Sequence, residues 1–189
     1  MLPDSKDHRG DAILVKPIHD PDVKAGISRA IMGSLPQWFN PPDSIDGHAE
    51  AHKDYPYFAA YGYGGGCEGG CDGGCGGESG YDGEGGSPIG FIALKIHNPY
   101  TADVYHIGVL ERLHRKGVGR RLMDAAKAYC LDGGYTYLTV KTLDASAAYE
   151  PYERTRAFYR GMGFIPLEVF TKFWNEGNPC LFMACRLRP

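Results

Sequence analysis

Apolar positions along the chain follow two rhythms, and the change from one to the other marks its elements. Ala12–Val15, Tyr57–Tyr61, Ile89–Ile96 and Val104–Leu110 are short runs of β-branched, aromatic or small apolar residues, which predicts strands. Val23, Ile27, Ala30 and Ile31 recur at helical steps after Asp20-Pro21. That pattern predicts a helix capped by Asp20, with proline in its first turn and Gly33 at its end. Ser44 heads a second, more polar helix over Ile45–Lys53. Val118, Leu122, Met123, Ala126, Tyr129 and Cys130 form the apolar face of a third, which Gly133-Gly134 terminates. Tyr135–Leu143 reads as a strand and Glu153–Met162 as a helix with Thr155, Phe158, Tyr159 and Met162 on one face. Phe164–Phe170 and Cys180–Leu187 supply two last strands, with Trp174 in their connection. Strands before and after central helices, and strands in succession at the end, predict an α+β sheet domain.

One segment breaks the pattern. More than half of the chain's 27 glycines fall between Gly62 and Gly90, with Cys67, Cys71 and Cys75 among them. Such a stretch has little to bury and much entropy to lose, so it reads as a flexible insertion over 62–88. Closure entropy grows only with the logarithm of length, so one domain over 1–189 tolerates it. Familiar zinc sites pair cysteines more closely, and the loop holds no fourth cysteine or histidine, so no metal is expected. Cys130, Cys180 and Cys185 lie in apolar contexts and read as buried thiols.

Bulk properties narrow the class. A chain of 189 residues buries a proper core, and a net charge of −3 gives no general attraction to nucleic acid or anionic membrane. No apolar run approaches the roughly 18 residues of a spanning helix, and the polar start MLPDSKDHRGD lacks a signal-peptide core. The expectation is a soluble cytoplasmic protein, monomeric or homodimeric.

Between the Val104 strand and the Val118 helix stands His114-Arg115-Lys116-Gly117-Val118-Gly119-Arg120. Glycines and cations at a helix start suit an anion, because the first N–H groups are unpaired and the dipole is positive there. HRKGVG resembles the pyrophosphate loop of the GNAT N-acetyltransferases, Gln/Arg-x-x-Gly-x-Gly/Ala, with His114 departing at the first position. Tyr152-Glu153-Arg154-Thr155-Arg156-Ala157-Phe158-Tyr159-Arg160-Gly161-Met162-Gly163-Phe164 resembles the GNAT motif ending in F-Y-x-x-x-G-F. Tyr152 stands where many relatives carry asparagine. With LPQWF, LTVKTL, GFIPLEVF and NPCL, the likeness to an uncharacterised GNAT group runs over nearly the whole chain, outside the glycine insertion.

The resemblance implies a central mixed, mostly antiparallel sheet flanked by helices, with the Gly/Cys-rich stretch inserted in a hairpin. It implies acetyl transfer from acetyl-CoA to an amine of a small molecule or peptide. His114, Arg115, Lys116, Gly117, Val118, Gly119 and Arg120 would hold the pyrophosphate. The backbone of Ile107, Gly108 and Val109 would pair with the strand-like pantetheine arm. Tyr159 matches the position of the acid that protonates the leaving thiolate. Asp103 matches the strand position where histone-type relatives carry a catalytic glutamate, and a base is useful: an amine of pKa ~10.4 is only about one-thousandth neutral near pH 7.4. His106 is the next candidate, but strand alternation sets it on the face opposite Asp103, Tyr105 and Ile107. Lys141, Glu168 and Glu111 are more distant. Trp38 and Phe39, in the link after the first helix, are candidates for substrate contact.

Two other readings stay open. One is a catalytically weak CoA-binding or interaction module that offers the Gly/Cys loop to a partner or metal. The other is a Rossmann dinucleotide site, which G-V-G fits poorly: the third glycine is missing, and Asp144 comes too late for the ribose.

Overall fold

The computed structural model describes residues 13–39, 44–62, 86–175 and 177–188. The predicted Gly/Cys insertion falls almost wholly outside them, together with Cys67, Cys71 and Cys75. The elements run β1 (Ile13–Pro17), α1 (Pro21–Gly33), α2 (Ser44–His52), β2 (Tyr57–Gly62), β3 (Pro88–Asn98), β4 (Thr101–Val109), α3 (Val118–Asp132), β5 (Tyr137–Leu143), α4 (Glu150–Gly161), β6 (Ile165–Asn175) and β7 (Asn178–Arg186). A single 3-10 turn, Glu111–Leu113, links β4 to α3.

Seven strands form one sheet in the order β1-β2-β3-β4-β5-β7-β6. Every neighbouring pair is antiparallel except β4 and β5. The α+β class and the mostly antiparallel mixed sheet are as the sequence predicts. Helices cover both faces. On one, Val118, Leu122, Met123 and Ala126 of α3 pack with Tyr159 of α4 over Ile92, Leu94, Val104, Leu138 and Val140. On the other, Ile27, Ile31 and Met32 of α1 and Ala49 of α2 pack over Tyr57, Ala59, Phe91 and Ala93.

Local chemistry accounts for the helix ends. The Asp20 carboxylate accepts from the N–H groups of Asp22 and Val23 at 2.9 and 3.0 Å, so two donors of the first turn of α1 are satisfied. The turn after α2 is tied by Lys24, whose buried ammonium donates to the carbonyls of Lys53 and Tyr55, both at 2.9 Å. Arg156, 4% exposed, donates to the Leu143 carbonyl at 2.9 Å and so anchors α4 at the end of β5.

The structure corrects several details. Ala30 is exposed, and Lys24, Ala25, Ser28 and Met32 share the buried face of α1 instead. Tyr129 is 38% exposed and rests its ring on Phe58. α4 begins at Glu150, three residues early, because Pro151 is tolerated in a first turn whose N–H groups need no partner. Trp174 belongs to β6, a long edge strand carrying exposed Ile165, Leu167, Val169 and Phe173. Cys130, Cys180 and Cys185 are buried thiols, as predicted, and burial pushes Cys130 up to about 12.

Candidate active site

The parallel pair β4 and β5 holds register only from Thr101↔Tyr137 to Val104↔Val140. β4 continues to Val109 and β5 to Leu143 without pairing to each other, each held only by its outer neighbour, β3 or β7. The sheet opens there, and a cavity of about 1050 Å³ occupies the gap. Asp103 to Val109 line it from β4, and Lys141 and Thr142 from β5. Thr142 Oγ1 is buried with no hydrogen-bond partner among the described residues. Buried hydroxyls are rarely left so, and one in a cleft wall suits a polar ligand.

One end of the cavity is the start of α3. Gly117 caps the helix at φ +85°, a backbone conformation that favours glycine, and offers no side chain to the first-turn N–H groups. Arg115 (φ +62°), Gly117, Gly119 and Arg120 line the cavity. Lys116 is exposed outside this lining, and Val118 is buried beneath the helix. A Cβ on Gly119 would stand 3.3 Å from the Phe158 ring, so packing against α4 also demands a small residue there. His114 Nε2 donates to the Val109 carbonyl at 2.8 Å and its ring meets Trp38 edge-on at 5.6 Å. This imidazole clamps the turn back onto β4.

α4 forms the floor. Tyr159 is 5% exposed and lines the cavity. Burial, then the neighbouring Tyr152 and Asp103, push its hydroxyl well above the usual tyrosine range, so it stays protonated. Tyr152 donates to the Trp38 carbonyl at 3.3 Å, and Trp38 Nε1 donates to Thr155 Oγ1 at 3.2 Å. The α1–α2 link is thereby fastened to α4, with Trp38 and Phe39 both in the cavity wall.

Asp103 also faces the cavity, but its carboxylate is engaged. Thr139 Oγ1 donates to it at 2.7 Å and Lys141 Nζ at 3.2 Å. His97 Nε2 lies 3.8 Å away.

The face expected for His106 is corrected. β3 and β4 slip register between Ala93↔His106 and Leu94↔Val104, so Tyr105 is an extra residue on β4. A bulge of this kind re-aims side chains. Tyr105 and His106 point to the same side, their ring centroids 4.5 Å apart, and both meet His52. Ile107 packs instead on the α3 side. His106 Nδ1 lies 2.9 Å from His52 Nε2, His52 Nδ1 lies 2.6 Å from Ser28 Oγ, and Ser28 Oγ lies 3.0 Å from the Tyr57 hydroxyl. His48 closes on His106 at 4.5 Å between centroids.

This chain of polar groups is what sequence reasoning missed. Its one local signal was His48 and His52, a helical turn apart on α2. Burial, then His48, lowers His52 to about 3. Burial, then His52 and His48, holds His106 well below the usual histidine value. Both rings are neutral at neutral pH. Lys95, Phe173 and Trp174 also line the cavity and were not foreseen there. Among the described residues, no group of three or more His, Cys, Asp or Glu side chains is placed to hold a metal.

Comparison with known proteins now bears on this geometry. Residues 34–164 match the family model described as Acetyltransferase (GNAT) family. An uncharacterised N-acetyltransferase of Chlorobaculum tepidum is 30% identical over 104 residues, 53% of this chain and 60% of that protein. The chain therefore aligns with somewhat under two thirds of that relative's length. A crystal structure assigned to the GNAT family, from Desulfovibrio desulfuricans, superimposes with a TM-score of 0.69 at 18% identity, covering 94% of this chain and all of that one. A GNAT family acetyltransferase from Elizabethkingia anophelis with acetyl-CoA bound superimposes with a TM-score of 0.57 at 14% identity, covering 92% of this chain and 97% of that one. At these identities the structural likeness concerns the fold.

Proposed function

This chain belongs to the acetyltransferase (GNAT) family, and on that premise we propose that it transfers an acetyl group from acetyl-CoA to an amine of a small molecule or peptide. The observation that carries the proposal is the opening between β4 and β5, which joins the uncapped start of α3 to Tyr159 through one cavity. A solved relative with acetyl-CoA bound supports the choice of donor.

Each part of acetyl-CoA has a suitable counterpart. The first-turn N–H groups of α3 and the side chains of Arg115 and Arg120 suit the pyrophosphate, each charge–dipole contribution being about 0.3–1 kcal/mol. The backbone of Ile107, Gly108 and Val109 suits the amides of the pantetheine arm, and Thr142 Oγ1 is a further partner. An N–H near Val109 is the candidate for stabilising the thioester oxygen as charge builds on it. Tyr159, held protonated by burial, donates to the leaving sulfur. Trp38 and Phe39 wall the acceptor side. Asp103, already bound by Thr139 and Lys141, serves best to hold that ammonium in place.

The test is thiol release from acetyl-CoA by the purified full chain across a panel of primary amines. Release with some amine, and the acetylated product by mass spectrometry, is the expected result. Acetyl-CoA binding with no release on any amine would leave a CoA-binding module in place of an enzyme.

A further inference from the structure

We propose that His106 is the base that takes the proton from the acceptor amine, and that His52, Ser28 and Tyr57 hold it in the tautomer this requires. The inference rests on the acetyltransferase reading and adds to it the group that removes the amine proton.

The bulge at Tyr105 is the first support. Regular alternation from Asp103 through Tyr105 would turn His106 to the α3 side; because Tyr105 is bulged, the ring stands in the cavity wall beside Phe39 and His48. Nδ1 is spent on His52 at 2.9 Å, so Nε2, on the other side of the ring, is the nitrogen left for the cavity.

The second support is a continuous run of contacts behind His106 that can hold the proton arrangement a base requires. A neutral imidazole has one N–H and one lone pair, and both nitrogens of His52 are engaged. Two polarities satisfy these three contacts, and a base at His106 Nε2 requires one of them. In the one we assign, His106 Nδ1–H donates to His52 Nε2, His52 Nδ1–H donates to Ser28, and the Ser28 hydroxyl donates to Tyr57. His106 Nε2 then carries a lone pair. Asp103 is less suited to the task, because a hydroxyl and an ammonium already occupy its carboxylate.

The step balances. As the amine nitrogen bonds to the acetyl carbon, its proton passes to His106 Nε2 and the carbonyl electron pair moves onto oxygen. The carbonyl re-forms as the carbon–sulfur bond breaks, and sulfur takes the Tyr159 proton. His106 then releases its proton to solvent and Tyr159 regains one. A weakly basic imidazole suffices, because an ammonium bonded to the attacked carbon is far more acidic than a free one.

The groups facing His106 are His48 and His52 of α2, Tyr105 and Asp103 of β4, Lys95 of β3, and Tyr57 of β2 through Ser28. Burial, then His52 and His48, holds His106 well below the usual histidine value, and none of these groups sets a carboxylate against the ring, so it stays neutral near pH 7.

The first measurement needs no acceptor: nitrogen-15 NMR of the histidines in the wild-type full chain between pH 5 and 8. The expected spectrum has His106 neutral and protonated on Nδ1. A proton on Nε2, or a cationic ring at pH 7, overturns the proposal. The second compares wild type with His106→Gln, using a primary alkylamine and hydroxylamine, whose weakly basic nitrogen forms a more acidic ammonium on bonding to the acetyl carbon and so depends less on a base. A fall in kcat of about 100-fold or more on the alkylamine is expected, with KM little changed, a smaller fall on hydroxylamine and loss of the acid limb of the pH profile. Equal losses on both amines, or none, overturn it. His52→Gln, a change at a positioning residue, should shift the acid limb of the pH profile instead of removing it; an unmoved limb counts against the chain. Absence of turnover by wild type on every amine would refute the acetyltransferase reading, and the NMR result would still decide the tautomer.

Discussion

Tyr159 shows how one hydroxyl is prepared by its surroundings. α4 places it 5% exposed in the cavity floor, and Arg156, three residues earlier, pins that helix to the end of β5. Burial raises its pKa, so the group stays protonated and able to donate. Tyr159→Phe removes the donor and keeps the ring that packs on Phe158 and Phe164. Steady-state kinetics should show kcat lowered by an order of magnitude or more, with an unchanged melting temperature. Full activity in that variant would remove Tyr159 from the mechanism. The motif ending in Tyr159 was legible in the sequence because one helix carries it. His106 was not, because its direction depends on a bulge set by β3, a separate stretch of chain.

At the scale of elements, the start of α3 and the edge of β4 act as a unit. The helix begins without a side-chain cap, and His114 ties the preceding turn to Val109. Gly119 faces the cavity on one side and Phe158 on the other. Gly119→Ala and Gly119→Asp both press on Phe158, but only aspartate adds negative charge beside the pyrophosphate site. Calorimetry should therefore show acetyl-CoA binding weakened about tenfold more by aspartate than by alanine. Equal affinities for the two variants would place the pyrophosphate elsewhere. The turn itself was readable from HRKGVG, since glycine and charge spacing are local properties. The second demand on Gly119 comes from α4, about forty residues downstream, and no local pattern announces it.

At the scale of the whole molecule, two predictions follow from burial and topology. His52 is fully buried and its pKa falls from 6.5 to about 3 on folding. Between those values the unfolded chain binds the proton and the folded one does not, so stability rises with pH there. As pH falls below about 6.5 the loss grows, reaching roughly 3 kcal/mol near pH 4 from this residue. His106 acts in the same direction. Urea denaturation at pH 7, 5 and 4 checks this, and the loss should shrink in His52→Leu; an undiminished loss would assign it to other groups. The second prediction concerns the predicted insertion. β2 and β3 pair antiparallel, and a Cβ on Gly86 would stand 3.2 Å from the Gly62 carbonyl, so the two strand ends lie side by side. Replacing residues 63–85 with a two-residue turn should leave the melting temperature within a few degrees, because closing a longer loop costs only about 0.6 kcal/mol per doubling. A large fall would mean that the segment packs on the domain.

The sequence by itself determined the element types, the α+β class, the cap at Asp20, the glycine and cation turn that starts α3 and the resemblance carried by HRKGVG and the Tyr159 motif. These depend on neighbours within a turn or a strand, where period, capping and glycine placement are local physics. Tertiary structure alone decided how far β4 and β5 stay paired, which face His106 takes, that Asp103 is occupied, and that Ser28, His52 and Tyr57 stand behind His106. Those are outcomes of register and packing between segments far apart in the chain, and a periodic pattern along one segment carries no record of them.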